Sequence, residues 1–164
     1  MRRVPPRGQM SGMWLLRSLL PIAPFVRRLR HGMTLGVRAI AIRDDRVLLV
    51  RHTYTPGWHL PGGGVDVGET AEAAARRELM EEANARATGP LLLHGVFFNP
   101  RVGGRDHVVC FRVSDFEQGP LPGPTFEIAE VGTFPLGALP PDTTASTRRR
   151  LEELASGRAP DDCW

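Results

Sequence analysis

The 164-residue chain predicts a mixed α/β (α+β) fold on three observations. Two apolar stretches, Thr34–Arg43 and Arg46–Arg51, flank the pair Asp44-Asp45 and read as two strands joined by a tight turn. An alanine-rich stretch after a run of glycines reads as one helix. Beyond it lie three further strand-like runs and a closing helix.

Residues 1–32 differ in character from the rest of the chain and are set apart as an N-terminal extension, expected to be helical. Arg2, Arg3 and Arg7 precede the apolar run Met13–Val26, and Arg27, Arg28 and Arg30 come after it. Arg17 splits that run and no small-residue cleavage site lies beyond it, which argues against a signal peptide. The run is also too short and interrupted to span a bilayer. The favoured expectation is a helix packed on the domain. The alternative is membrane contact by residues 13–30, with the arginines on lipid headgroups. Met10 and Met13 are alternative starts.

Thr34–Arg43 alternates Leu35, Val37, Ala39 and Ala41 with Gly36, Arg38, Ile40 and Ile42, as a strand covered on both faces does. Arg46–Arg51 is the returning strand. Trp58-His59-Leu60-Pro61 then leads into Gly62-Gly63-Gly64. Thr70 is a good N-cap for the helix after this loop, and Glu72 sits where the helix dipole favours an anion. The alanines and Leu79 are strong helix formers, with no β-branched residue among them. Asn84, where a left-handed residue is needed, is the usual substitute for glycine at a helix end.

Glu78, Glu81 and Glu82 are spaced i, i+3, i+4 and share one face of that helix. Most such clusters are solvated faces. Like charges at this spacing repel, however, and a divalent cation would relieve the repulsion. Three carboxylates suit a hard, oxygen-loving ion such as Mg²⁺ or Mn²⁺ rather than Zn²⁺.

After the helix, Leu91–Phe98 reads as a long buried strand, Asn99–Arg105 as a loop and Asp106–Val113 as the next strand. Cys110 is expected to be a small core hydrophobe, and His107 a structural or substrate-side residue. Gln118–Thr125 is a Pro/Gly-rich surface connection, and Phe126–Val131 returns as a strand. Thr143-Thr144-Ala145-Ser146 opens the last helix, with Leu151, Leu154 and Ala155 on its apolar stripe. Arg148/Glu152 and Arg149/Glu153 are expected to pair across one turn, and Gly157 to stop the helix. The tail through Cys163-Trp164 is expected to be loose, docking of Trp164 being the alternative.

One domain with a proper core is implied by the length. The two cysteines give no disulfide framework, which favours a reducing, cytoplasmic setting. The net charge of +3, with arginine as its only basic residue, suits a protein handling anionic small molecules. It is too small to argue for binding nucleic acid duplex, and no recognition motif appears. No Ser/His/Asp or Cys/His set has sequence support.

Gly63, Glu69 and the run Arg77-Glu78-Leu79-Met80-Glu81-Glu82 resemble, in residue type and spacing, the Nudix box of Nudix hydrolases. Asn84 and Ala85 stand where that family has glycine and a larger aliphatic residue. The resemblance covers roughly Met33 to Leu139. It implies a Nudix-like α/β/α sandwich with a curved mixed sheet, occupying residues 33–140, on which a C-terminal helix and tail, 141–164, would pack.

The resemblance further implies a hydrolase of phosphoanhydride bonds in a nucleoside diphosphate linked to another group, with Mg²⁺ as cofactor and Mn²⁺ as its substitute. Glu78 and Glu82 would be the principal ligands, Glu81 a third, and the Gly62 carbonyl would complete the shell. Arg77 would hold a carboxylate in place and Glu69 would tie loop to helix. The general base or extra ligand would be Glu127 or Glu130, between which the sequence does not choose. Arg51 and Arg101 are candidate phosphate contacts, and Trp58 and Phe97 candidate base contacts. Pro100 has a spacing from the box that resembles that of ADP-ribose-cleaving members. Homodimers are common in the family, though no residue of this chain argues for one. The alternative function is a non-catalytic nucleotide-binding regulatory module of the same fold.

Overall fold

The computed structural model describes residues 32–101 and 104–164; the expectations placed on residues 1–31, including the packed helix and the membrane contact, lie outside the described residues. Among the described residues ten elements occur in chain order: β1 (Thr34–Arg43), β2 (Arg46–His52), β3 (Trp58–His59), α1 (Ala71–Ala83), β4 (Ala85–Ala87), β5 (Leu92–Asn99), β6 (Asp106–Val113), β7 (Phe116–Gln118), β8 (Ile128–Pro135) and α2 (Ala145–Ser156).

The main sheet runs β3-β2-β1-β6-β5, with β8 also paired to β2. β1 and β6 are parallel; the other pairs are antiparallel, so the sheet is mixed. β4 and β7 form a separate small ribbon that the sequence did not announce. Asp44 and Asp45 both have positive φ, 50° and 57°. That is the twist-matched two-residue hairpin geometry, in which aspartate is tolerated.

Alternation along the strands divides the core in two. Val37, Ala39, Ala41, Leu48, Val50, Val109 and Phe111 pack with Ala74, Ala75, Leu79 and Ala83 of α1. Ile40, Val47, Leu49, Trp58, Leu60, Phe97 and Cys110 pack with Leu151 of α2. The small alanines on α1 let the helix settle closely on the sheet. Cys110 is fully buried, and burial pushes its thiol up to about 12, so it is an inert core residue as expected.

The feature that makes a site is a divergence. β1 and β2 pair only at Ile42↔Val47 and Arg43↔Arg46. Beyond that they splay, and the glycine loop takes the space: the Ala39 and Val37 amides donate to the Pro61 and Gly63 carbonyls, each at 2.8 Å. Gly62 (φ 147°) needs to be glycine, because a Cβ there would run into the Val37 carbonyl.

Four expectations are corrected. The strand after α1 is not buried: β5 is an edge strand, and Leu92, Leu93 and Val96 are exposed. An apolar run cannot by itself tell an edge from a centre. The late strand begins at Ile128 rather than Phe126, because the Thr125 hydroxyl accepts from the amides of Glu127 and Ile128 and forms a turn. The tail is docked: the Phe98 amide donates to the Asp162 carbonyl at 2.8 Å and the Trp164 amide to the Phe98 carbonyl at 2.9 Å. Finally, the two expected i, i+4 pairs on α2 do not form. Glu153 binds Arg150 (2.6 Å) and His94 (3.0 Å), and Arg148 donates to carbonyls at the helix start.

Candidate active site

α1 begins and ends as its sequence dictates. The Thr70 hydroxyl accepts from the Ala73 amide at 3.1 Å, and Asn84 is left-handed (φ 48°, ψ 43°) with its amide returned to the Leu79 and Met80 carbonyls. Leu79 and the alanines face the sheet, so Glu78 and Glu82, next to that stripe, are carried inward to the glycine loop.

Both acids end on Gly62-Gly63. The Gly62 amide donates to Glu82 Oε2 at 2.8 Å, while the Glu78 carboxylate lies where a Cβ on Gly63 would be. Glycine at 63 is thus the condition for Glu78 to occupy its place. Arg77 organises the other side. It pairs with Glu69 through two nitrogens (3.0 Å each), donates to Glu78 Oε1 at 2.7 Å, to Glu81 Oε2 at 3.2 Å, and to the Gly64 carbonyl at 3.1 Å. One planar guanidinium therefore joins the loop to the helix, a task its fork geometry suits. The Arg77–Glu69 hydrogen bonds hold Glu69 below its ordinary pKa.

Glu82 is in a different condition. It is 9% exposed, and burial, opposed by the Gly62 amide, pushes its pKa up to about 7. His52 Nδ1 stands 3.8 Å from Glu82 Oε1, too far for a hydrogen bond. Burial first, then the charge of neighbouring His59, pushes His52 down to about 4, so at neutral pH this contact is no ion pair. His52 Nδ1 is buried without a hydrogen-bond partner.

These donors fit a hard divalent cation. Two shielded carboxylates converge on one peptide segment, and no hydrogen bond among the described residues ends on the Gly62 carbonyl. The cage is not ready-made: among the described residues no group of three His, Cys, Asp or Glu side chains is gathered closely enough to hold an ion. Glu81 is the reason visible in the geometry, since it points to solvent, 60% exposed, and leans on Arg77.

The late glutamates, equivalent in sequence, are separated by the fold. Glu130 pairs in register with Arg51; Arg51 lies over the Trp58 ring and binds Asp142 at 2.8 Å. That is the α2 face of the sheet, away from Glu82. Glu127 lies within electrostatic reach of Glu82 and of Tyr54, and its carbonyl accepts from the Thr53 amide at 2.9 Å.

The same geometry removes three expected substrate contacts. Trp58 is 3% exposed and Phe97 0%; Trp58 packs edge-on to Phe134, and Phe97 lies under Arg150. Arg51 is committed to Asp142. Arg101 stays an exposed residue of the β5–β6 connection, its amide bonded to Asn99. Sequence reasoning missed His52, Tyr54 and Arg38. Alternation along β2 puts His52 on the side of Leu48 and Val50, which face α1, but nothing local says that β1 and β2 diverge there.

An α+β protein with a mixed sheet, a glycine loop and an acid-bearing helix is the class these features define. The NUDIX domain family model matches residues 32–154, and the chain belongs to that family. It is 30% identical over 125 residues to a Bacillus subtilis (strain 168) protein named for 8-oxo-dGTP diphosphatase activity, covering 76% of this chain and 81% of that one. It is 36% identical over 85 residues to the ADP-ribose pyrophosphatase of Methanocaldococcus jannaschii, half of each chain. Among solved structures, the MutT NUDIX hydrolase from Burkholderia pseudomallei superposes with a TM-score of 0.66 at 29% identity, over 75% of this chain and 98% of that one. Relatives named as diphosphatases and pyrophosphatases are hydrolases acting on acid anhydrides. Among the described residues, no helix is long and apolar enough to cross a membrane.

Proposed function

We propose that the protein is a Mg²⁺-dependent hydrolase that cleaves a phosphoanhydride bond in a nucleoside diphosphate linked to a second group, acting in the cytoplasm. The observation that carries this reading is the pairing of Glu78 and Glu82 on Gly62-Gly63, with Glu82 buried and given a single hydrogen bond. Such a group destabilises a fold unless something positive completes it.

Glu78, Glu82 and the Gly62 carbonyl would hold the ion, with Glu81 joining after release from Arg77. When bound, the ion would draw charge from the phosphate oxygens and make water more acidic. Arg77 holds Glu78 by its hydrogen bond at 2.7 Å and keeps it aimed at the loop. Glu127 is the better placed of the two late glutamates to take a proton from water at its carboxylate, being on the Glu82 side. The Leu79 face and the splayed strands keep the two acid carriers in fixed register, so their spacing does not depend on substrate.

The test is turnover of a panel of nucleoside triphosphates, nucleotide sugars, ADP-ribose and dinucleoside polyphosphates with Mg²⁺. At least one compound is expected to be cleaved, and Glu78→Gln or Glu82→Gln to abolish that cleavage. Turnover surviving both substitutions would refute the assigned roles. Metal-dependent binding without turnover of any compound would instead make the chain a nucleotide-binding module.

A further inference from the structure

Beside the acids of α1 stands a polar atom with no partner among the described residues. His52 closes β2, is 8% exposed, and its Nδ1 is buried without a hydrogen bond. An unpaired buried polar atom costs free energy, so its place needs a reason.

The fold aims this ring. The pairing of β2 with β8 slips at its end: Arg51 faces Glu130, but His52 faces Ile128. Such a bulge raises the local twist and re-aims the side chain beside it. The imidazole then meets two other rings, Tyr54 at a centroid distance of 5.2 Å and His59 edge-on at 5.4 Å. His59 is itself fixed, by its pairing with Val50 and by donating from Nε2 to the Pro56 carbonyl at 3.1 Å. The outcome is an Nδ1 placed 3.8 Å from Glu82 Oε1. Glu82 Oε2 is taken by the Gly62 amide, so His52 faces the oxygen that no hydrogen bond among the described residues holds.

We propose that His52 is a positioning residue for Glu82, its Nδ1–H donating to Oε1 when a divalent cation binds and so fixing how that carboxylate meets the ion. The inference rests on the hydrolase reading above and adds to it a side chain from outside α1 and the glycine loop. A carboxylate only accepts, and a neutral imidazole has one N–H, so Nδ1 must be the nitrogen that carries the proton. A hydrogen bond to an ionised acceptor is about twice as strong as a neutral one. Closing the gap takes roughly 0.8 Å, and hydrogen bonds in unliganded sites are often long until binding draws them in. Metal-ligating carboxylates are commonly oriented by such outer partners.

Substitutions at this position separate the two ring nitrogens. His52→Asn places an amide N–H where Nδ1 stands, His52→Gln places one near Nε2, and His52→Phe keeps a ring against Tyr54 and His59 with neither. Calorimetric titration with Mg²⁺, without substrate, is expected to show His52→Phe and His52→Gln weakening binding by about tenfold or more, and His52→Asn recovering most of that loss. A residue that only fills space would give the opposite order, with Phe tolerated best and Asn worst; Mg²⁺ affinities in that order overturn the proposal. Should His52→Phe fail to fold, the Asn and Gln variants carry the same comparison. ¹⁵N NMR of the histidine-labelled native chain with saturating Mg²⁺ is expected to show Nδ1 protonated. An unprotonated Nδ1 overturns the proposal, whether its lone pair is idle or on the ion. Native binding of Mg²⁺ with equal affinity in all three variants sinks this inference alone. A native chain that binds no Mg²⁺, by itself or with methylenediphosphonate, sinks the hydrolase reading and this inference with it.

Discussion

Glu153 on α2 and Glu82 on α1 are equally shielded from water, at 6% and 9% exposure, but their surroundings differ in kind. Glu153 accepts from Arg150, from the Asp161 amide at 3.1 Å, and meets His94. Arg150, fully buried, in turn donates to the Cys163 carbonyl and lies over the Phe97 ring at 3.9 Å. Charge is closed within the protein, with Arg150 Nε alone left without a hydrogen-bond partner in this cluster, and the product is a clamp that fastens the C-terminal tail to β5. Glu82 accepts one amide and faces a histidine that burial keeps neutral. Its charge is left open. A buried acid with a full set of partners holds structure together, whereas one without them is held at the fold's expense for something from outside.

That contrast can be broken most sharply at Glu153. Glu153→Ala leaves Arg150 buried without a counter-ion and is expected to cost about 3–5 kcal/mol of stability, read by urea unfolding. Turnover per folded molecule should not change. A loss under 1 kcal/mol, taken as roughly the worth of an exposed pair, would mean that the clamp is not closed as described.

At Glu82 the effects should be reversed. Glu82→Gln is expected to abolish turnover, yet to raise the melting temperature of the metal-free protein at pH 8. The sign comes from the shift: a carboxyl whose folded pKa is raised from 4.5 to about 7 favours the folded state below pH 4.5, and that contribution is lost as pH rises through 7. Between pH 5 and 8 the metal-free native chain should therefore lose stability that the Gln variant keeps, and Mg²⁺ should restore part of it. Identical pH profiles for the two chains would show that Glu82 is not strained.

The smallest effects belong to the ends of α1. Thr70→Ala should cost about 1 kcal/mol by removing the cap, and Asn84→Gly should change stability by only a few tenths of a kcal/mol, because the left-handed position already accepts glycine. Thermal unfolding measures both. Thr70→Ala should not alter Mg²⁺ affinity by more than about twofold, since Thr70 caps the end of the helix opposite to the acids.

What the sequence by itself determined is what depends on near neighbours. The caps, the Asp44-Asp45 hairpin and the strand limits of β1 stem from local spacing, and the structure has them as expected, whereas of the acids at i, i+3 and i+4 only Glu78 and Glu82 turn to the glycine loop and Glu81 stays in solvent. The tertiary structure decided everything that depends on which strand lies beside which. Glu127 and Glu130 differ only by register against β2, Trp58 and Phe97 are removed from the cleft by facing α2, and β5 is exposed because it is an edge. The glycine loop reaches Glu82 only because β1 and β2 part and leave it a gap to fill. Backbone propensity acts over a few residues, but burial and charge neutralisation are settled between segments far apart in the chain, and no local pattern encodes those distances.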